Sequence, residues 1–271
     1  MSKIAKAIKA FGLILKHPYL LNHVLNDEEV KKRELLKKYD FPQGLPVVDI
    51  IDLFPDFPQV VDPYAYLSGA TMPTDIALLK SLALKLNVHA YFEIGTWRGE
   101  SVANVAAVVP DCVTLNLSHE DIVKLTGSAD YANLHAHFSK KISNVRHIYG
   151  DSKCFDFTPF ARQFDMVFID GDHHYETVKS DSASVLQLLN NEDSVIVWHD
   201  YAYDPEKIRW SVFKGILDGI PSQLHHRLVH VSNTMCAVLL PESVMKMLET
   251  KHLKPYEKPS HYFEVALTAK H

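Results

Sequence analysis

An α/β fold around a mostly parallel sheet is what this sequence predicts, and three observations carry the prediction. From residue 74 onward, short apolar runs alternate with helical stretches, the pattern of strands joined by helical crossovers. Each is a short, mainly apolar run, of the kind that a sheet covered on both faces requires. The series closes on two further apolar runs, at 227–231 and 235–240, which read as an antiparallel pair.

Taken in order, residues 1 to about 40 read as helical. Ile4, Ile8, Phe11 and Leu15 recur at helical spacing, Lys3, Lys6, Lys9 and Lys16 fall on the other side, and only Leu13 interrupts the polar face. Ser2 is a candidate N-cap and Pro18 a stop. Such a basic amphipathic helix suits an anionic membrane, a partner protein or a second copy of the chain. The simpler expectation is that its apolar stripe packs on its own domain. The stretch 41–63 is rich in proline and aromatic residues and predicts an ordered, irregular wrap, neither helix nor strand. Thr74 then reads as the cap of a helix through Leu78, Leu79, Leu82 and Leu86. Strands follow at 90–94, 113–117, 145–149, 166–170 and 194–198, and after Ile208 a helix through Phe213 and Ile216 leads to the closing pair. The implied organisation is a helical and proline-rich extension over 1–70, a ligand-binding domain over 71–245 and a tail over 246–271.

Function is most legible in Glu93-Ile94-Gly95-Thr96-Trp97-Arg98-Gly99, where a strand ends in a carboxylate, turns through two glycines and enters a helix. A dinucleotide fingerprint needs G-x-G-x-x-G so that pyrophosphate meets bare backbone; here the glycines stand four apart. The lysine-bearing phosphate loop is also absent. A carboxylate at Glu93 repels phosphate and attracts an ammonium group, so the loop suits a phosphate-free, cationic nucleoside. The plain alternative is a strand-to-helix turn that needs glycine for positive φ. The segment resembles motif I of the class I S-adenosylmethionine-dependent methyltransferases.

A second cluster lies at the ends of the fourth and fifth predicted strands. Asp170-Gly171-Asp172-His173-His174-Tyr175-Glu176 follows one, and Trp198-His199-Asp200-Tyr201 ends the other. Open parallel sheets bind ligands beyond the carboxyl ends of their strands, so Asp170, Asp172, His173, His199 and Asp200 should share one rim with Gly95. For a single aspartate, capping the next helix would be explanation enough; three carboxylates and two histidines on adjacent strand ends favour function. The cluster resembles that of the small-molecule O-methyltransferases of the macrocin, sugar and antibiotic type, over roughly residues 75 to 200.

That resemblance implies a seven-stranded Rossmann-like sheet whose last strand inserts antiparallel. It implies S-adenosylmethionine as cofactor, held by Glu93, Gly95, Thr96 and Gly99, by Asn116 at the end of the second strand, by Asp151 and Ser152 after the third, and by Asp170. Relatives carry a carboxylate where Asn116 stands, and Glu120 is placed to compensate. It further implies a divalent ion, usually magnesium, on Asp170 or Asp172 with Asp200. His199 departs from the acidic residue many relatives have there, and as a ligand it would favour a softer ion. Methyl transfer to an alcohol requires alignment and removal of a proton, and Asp170, His173 and His199 are the groups available for the chemistry.

Composition sets the outer limits. The 271 residues are 47% hydrophobic and 23% charged with a formal charge of -5, an ordinary globular make-up with no basic field to recruit nucleic acid. Cys112, Cys154 and Cys236 form no CxxC pair and suggest a reducing cytoplasm. No apolar run reaches the roughly 18 to 20 residues that span a bilayer. The expected substrate is a small hydroxylated molecule: a sugar, polyketide or lipid intermediate. Two other readings are a metal-dependent phosphoesterase, whose binuclear sites the D-G-D-H-H run resembles, and a cofactor-binding protein without activity.

Overall fold

The computed structural model describes residues 1–25, 27–55, 57, 59–69, 71–251 and 261–270. Its strands are β1 (Val47–Val48), β2 (Ala90–Ile94), β3 (Asp111–Asn116), β4 (Val145–Tyr149), β5 (Met166–Ile169), β6 (Val195–Trp198), β7 (Ala202–Asp204), β8 (Lys207–Ile208), β9 (Leu228–Val231) and β10 (Ala237–Leu239). Eight of them form one sheet in the order β1-β9-β10-β6-β5-β2-β3-β4, and β7 and β8 make a separate antiparallel ribbon. β2 through β6 pair in parallel, whereas β10 runs antiparallel to both β6 and β9. This is the predicted Rossmann-like methyltransferase sheet. From β2 the chain winds outward through β3 and β4, then returns to β5 on the other side, which makes the β2/β5 boundary the switch point where such sheets open a crevice.

The sheet has eight strands rather than the seven expected. β1 arises within the stretch expected to be irregular, where Val47 and Val48 pair in parallel with His230 and Val231. Without it β9 would be an edge with unpaired backbone groups. Pro46 lacks an N–H but still supplies its carbonyl to His230 N at 2.9 Å. The same stretch holds a short helix, α4 (Ile50–Leu53), capped by Asp49.

The helices flanking α4 in sequence are α1 (Lys3–Lys16), α2 (Leu20–Leu25) and α3 (Glu28–Leu36) before it and α5 (Pro73–Lys85) after it. Then come α6 (Glu100–Val105), α7 (His119–Thr126), α8 (Ala129–Asn133), α9 (Tyr175–Val185), α10 (Trp210–Gly219) and α11 (Glu242–Met245). α5 begins one residue before Thr74: Pro73 takes the first helical position and Met72 the cap, its N–H donating to Asp75 Oδ2 at 2.9 Å. Pro there sacrifices no helix hydrogen bond.

Alternate strand residues feed two cores, which is why the runs are mainly apolar. Phe92, Ile94, Val167, Ile169, Ile196 and Trp198 pack with α9 and α10 on one face. Tyr91, Met166, Phe168, Val195 and Val197 pack with Leu78, Leu79 and Leu82 of α5 and Val102 of α6 on the other. The N-terminal stripe, in contrast, does not join a core. α1 has no buried residue, so the expectation that it packs on its own domain fails. Among the described residues, no helix is long and apolar enough to cross a membrane.

Candidate active site

Ile94 pairs with Ile169 and Ile169 with Trp198, so β2, β5 and β6 end at one level. Gly95, Asp170 and His199 are the residues that follow. Gly95 has φ +95°, and a Cβ on it would stand 2.1 Å from the Asp170 carbonyl oxygen. Gly99 has φ +82°, and its Cβ would meet Ser139 Oγ at 2.2 Å. Both glycines are therefore required twice over, for backbone sign and for space. The glycine loop and the acid cluster are in direct contact.

The predicted cofactor residues differ in what they present. Glu93 shares the parity of Tyr91 and lies beneath the loop, fully buried. Its carboxyl accepts from the Tyr91 hydroxyl at 2.7 Å and from Thr114 Oγ1 at 3.1 Å, and burial lifts its pKa to about 8. It supports the loop from below and is not placed on the rim to meet an ammonium group. Thr96 is likewise buried, its hydroxyl 2.6 Å from Thr114 Oγ1. Asn116, at the end of β3, donates its amide to His135 Nδ1 at 2.9 Å and keeps its oxygen as an acceptor. With Nδ1 accepting, His135 Nε2 carries the proton; it is buried without a hydrogen-bond partner. Trp97, Tyr131 and His135 pack together beside it, with centroids 4.8–5.4 Å apart. Asp151 turns the loop after β4 by accepting from Lys153 N at 3.0 Å, with Ser152 next to it.

The acid cluster is the most tightly organised part. His199, 8% exposed, directs Nε2 to Asp75 Oδ2 at 3.1 Å and Nδ1 to Asp170 Oδ1 at 3.0 Å and Asp200 Oδ2 at 3.4 Å. Burial opposes a charge on this ring, yet the three carboxylates outweigh it and raise its pKa well above 6.5. Asp200 also meets Arg209 at 3.3 Å and His173 Nδ1 at 3.5 Å. Burial alone would raise its pKa, but His199, His173 and Arg209 prevail and bring it down to about 2. His173 is half exposed, and burial together with the Arg209 charge lowers its pKa, so its ring is neutral at pH 7.

Ligand atoms of Asp170, His199 and Asp200 lie within 4.8 Å of one another, the one such group among the described residues. Two carboxylate oxygens and an imidazole nitrogen suit a divalent first-row ion, provided Nδ1 gives up its proton. Asp172, the fourth predicted ligand, does not take part. Its carboxylate is taken by His174 Nδ1 at 2.5 Å and the Thr177 hydroxyl at 2.7 Å, so it organises its own loop at the start of α9. A binuclear phosphoesterase centre is not assembled among the described residues.

Residues 92–201 match the model of a family described as a methyltransferase domain. That stretch is similar to a methyltransferase domain. No curated protein matches the chain. Similar solved structures include a SAH-bound methyltransferase of Podospora anserina, 16% identical with a TM-score of 0.45, covering 66% of this chain and 83% of that one. An O-methyltransferase of Bacillus cereus in complex with SAH is 17% identical with a TM-score of 0.43, covering 82% and 96%. The O-methyltransferase TomG of Streptomyces achromogenes, in complex with SAM, is 19% identical with a TM-score of 0.41, covering 63% and 81%.

The methyltransferase domain is closed over by a segment outside the matched region. Buried Arg98 donates to the carbonyls of Leu67 and Ser68, Glu100 Oε1 accepts from Ala65 N at 2.7 Å, and Asn104 bonds both Asp62 N and the Pro63 carbonyl. Thr71 Oγ1 then donates to Asp170 Oδ2 at 3.0 Å. These clamp residues, and Asp75, are absent from the sequence-based assignment. The available signal was charged side chains in the first turn of two apolar helices. Asp181 on α9 is a further omission: fully buried beside Ser152, its pKa raised to about 6 chiefly by burial. A cleft of about 630 Å³ lined by Leu186, Leu224 and Arg227 opens at the opposite ends of the strands, away from this chemistry.

Proposed function

We propose that the chain transfers a methyl group from S-adenosylmethionine to a hydroxyl of a small molecule. The observation that carries the reading is the contact between the Gly95 loop and Asp170, which puts a nucleoside-type turn and an acid–imidazole cluster in one crevice. The loop of residues 95–99 takes the methionine end of the cofactor, the Asn116 oxygen the ribose hydroxyls, and the turn at Asp151 and Ser152 the adenine. Gly95 and Gly99 let the loop turn tightly against Asp170 and Ser139, and the polar but unpartnered His135 Nε2 fits a site that expects a polar guest.

Displacement at a sulfonium needs acceptor oxygen, methyl carbon and sulfur in line, so alignment is most of the task. Residues 62–68, hydrogen-bonded to Arg98, Glu100 and Asn104, border the loop and would limit water there. His173, neutral and on the open side of Asp200, takes the acceptor's proton; His174 is committed to Asp172. Fully enclosed His199 orients Asp170 and Asp200 rather than acting as that base. A divalent ion, when bound, would sit on Asp170, His199 and Asp200 and supply Lewis acidity to the acceptor hydroxyl. Cys112, Cys154 and Cys236 are all free thiols, which fits a cytoplasmic setting. The reading is tested by incubating the protein with methyl-labelled S-adenosylmethionine and a panel of hydroxylated sugars, phenols and polyketides. Labelled ether products support it; cofactor binding without transfer to any acceptor favours a silent binding protein.

A further inference from the structure

The N-terminal helix carries a surface that the methyltransferase domain does not use. Ile4, Ile8, Phe11 and Leu15 form one stripe along α1 and are 73%, 70%, 64% and 68% exposed. Isolated exposed apolar residues are ordinary; four on one helical face, with no buried residue in the helix, are a contiguous patch. Beyond Pro18, Tyr19 and, in α2, Val24 and Leu25 are also exposed.

The flanks of the stripe say what it meets. Lys3, Lys6, Lys9 and Lys16 lie on the opposite side of the helix, interrupted by Leu13, and no acidic residue occurs before Asp27. Ser2 caps the helix by accepting from Ala5 N at 3.3 Å, so the element is a defined helix of 14 residues, about 21 Å long. That is too short to span a bilayer, which takes about 20 residues.

We propose that α1 lies in the plane of an anionic lipid surface, with its apolar stripe among the acyl chains and its lysines at the headgroups. A second copy of the helix would cover the stripe but supply no negative charge for the lysines. A bilayer with anionic headgroups satisfies both halves at once: an apolar layer for Ile4, Ile8, Phe11 and Leu15, and negative charge for the lysines. The domain would thereby work at a membrane surface, held there by α1.

The test is co-sedimentation of the full chain with vesicles of phosphatidylcholine alone and with one-third phosphatidylserine. Binding is expected to the anionic vesicles, about tenfold or more above the neutral ones and weakened by salt. The pair Ile8→Glu and Phe11→Glu should abolish it, and Lys6→Glu with Lys9→Glu should remove the preference for anionic lipid. Since α1 is not packed in a core, these variants should keep the thermal transition of the parent, which is measured alongside. Absence of binding to anionic vesicles, or equal binding by parent and both variants, overturns the proposal. The assay uses neither cofactor nor acceptor, so its failure leaves the methyltransferase reading untouched.

Discussion

His199 and Asp75 form a buried pair, Nε2 to Oδ2 at 3.1 Å, that links the crevice to the N-terminus of α5. Asp75 is fully buried and also accepts from Met72 N and Met235 N, at 2.9 and 2.8 Å. Its orientation is thus fixed by backbone on two sides, and it fixes in turn which nitrogen of His199 faces Asp170. Aspartate-to-imidazole pairs of this kind set a ring's tautomer and tilt.

Asp75→Asn keeps the size of the side chain but removes the charge that His199 is built against. The expected loss of stability is about 1–3 kcal/mol, the scale for a buried hydrogen bond to a charged group. Turnover should fall by more than the folded fraction explains, with a shifted pH profile and cofactor affinity nearly unchanged. A stability loss with normal turnover and an unshifted profile would reduce Asp75 to a structural role.

His173 is assigned as the proton acceptor. His173→Gln should lower turnover about 100- to 10,000-fold, the usual range for general-base catalysis. Its ring must be neutral to act, and its pKa is lowered, so the parent's rate should rise with pH through a value below 6.5 and then level. The variant should lack that rise. Unchanged kinetics would remove His173 from the mechanism.

Asp200 has φ +57°, a conformation that asparagine tolerates well. Asp200→Asn should therefore fold, retain cofactor binding and lose binding of Mn²⁺ measured by electron paramagnetic resonance. If the parent shows no Mn²⁺ binding, or keeps full turnover after chelation, the ion has no part in this site.

Glu93 gives a stability signature. Its pKa is near 8 in the fold and about 4.5 when exposed, so the folded chain holds a proton that the unfolded chain releases. The contribution is full below the unfolded value and declines as pH rises toward 8. Between about pH 5 and 8 the melting temperature of the parent should fall more steeply than that of Glu93→Gln. Parallel curves would mean that Glu93 is ionised in its buried site.

Strands β5 and β6 were legible because burial on both faces leaves an unbroken apolar run, as in Met166–Ile169; β4, at the sheet edge, carries Arg146 and His147 and is only partly buried. β1 was not, because two valines among prolines acquire strand character only by pairing with β9, some 180 residues away. The glycine loop and the strand ends carrying Asp170, His173, His199 and Asp200 could be placed from sequence, since register is set by the sheet. Asp172 was misjudged as a ligand because adjacency to a strand end does not reveal that Thr177 and His174 already satisfy it. Asp75 was invisible for the opposite reason: it reads as a helix-start carboxylate, and its partner lies 124 residues further on. Glu93 reads from sequence as a carboxylate for an ammonium group, although strand parity with Tyr91 sends it below the loop.

The central claim is that the loop of residues 95–99 and the ends of β3 and β4 hold S-adenosylmethionine. Calorimetric titration of the intact chain with that cofactor tests it most directly. Saturable binding is expected at one site per chain, in about the 1 µM to 1 mM range usual for enzyme substrates, weakened strongly by Gly95→Ala. An absence of saturable heat with folded parent protein would contradict it.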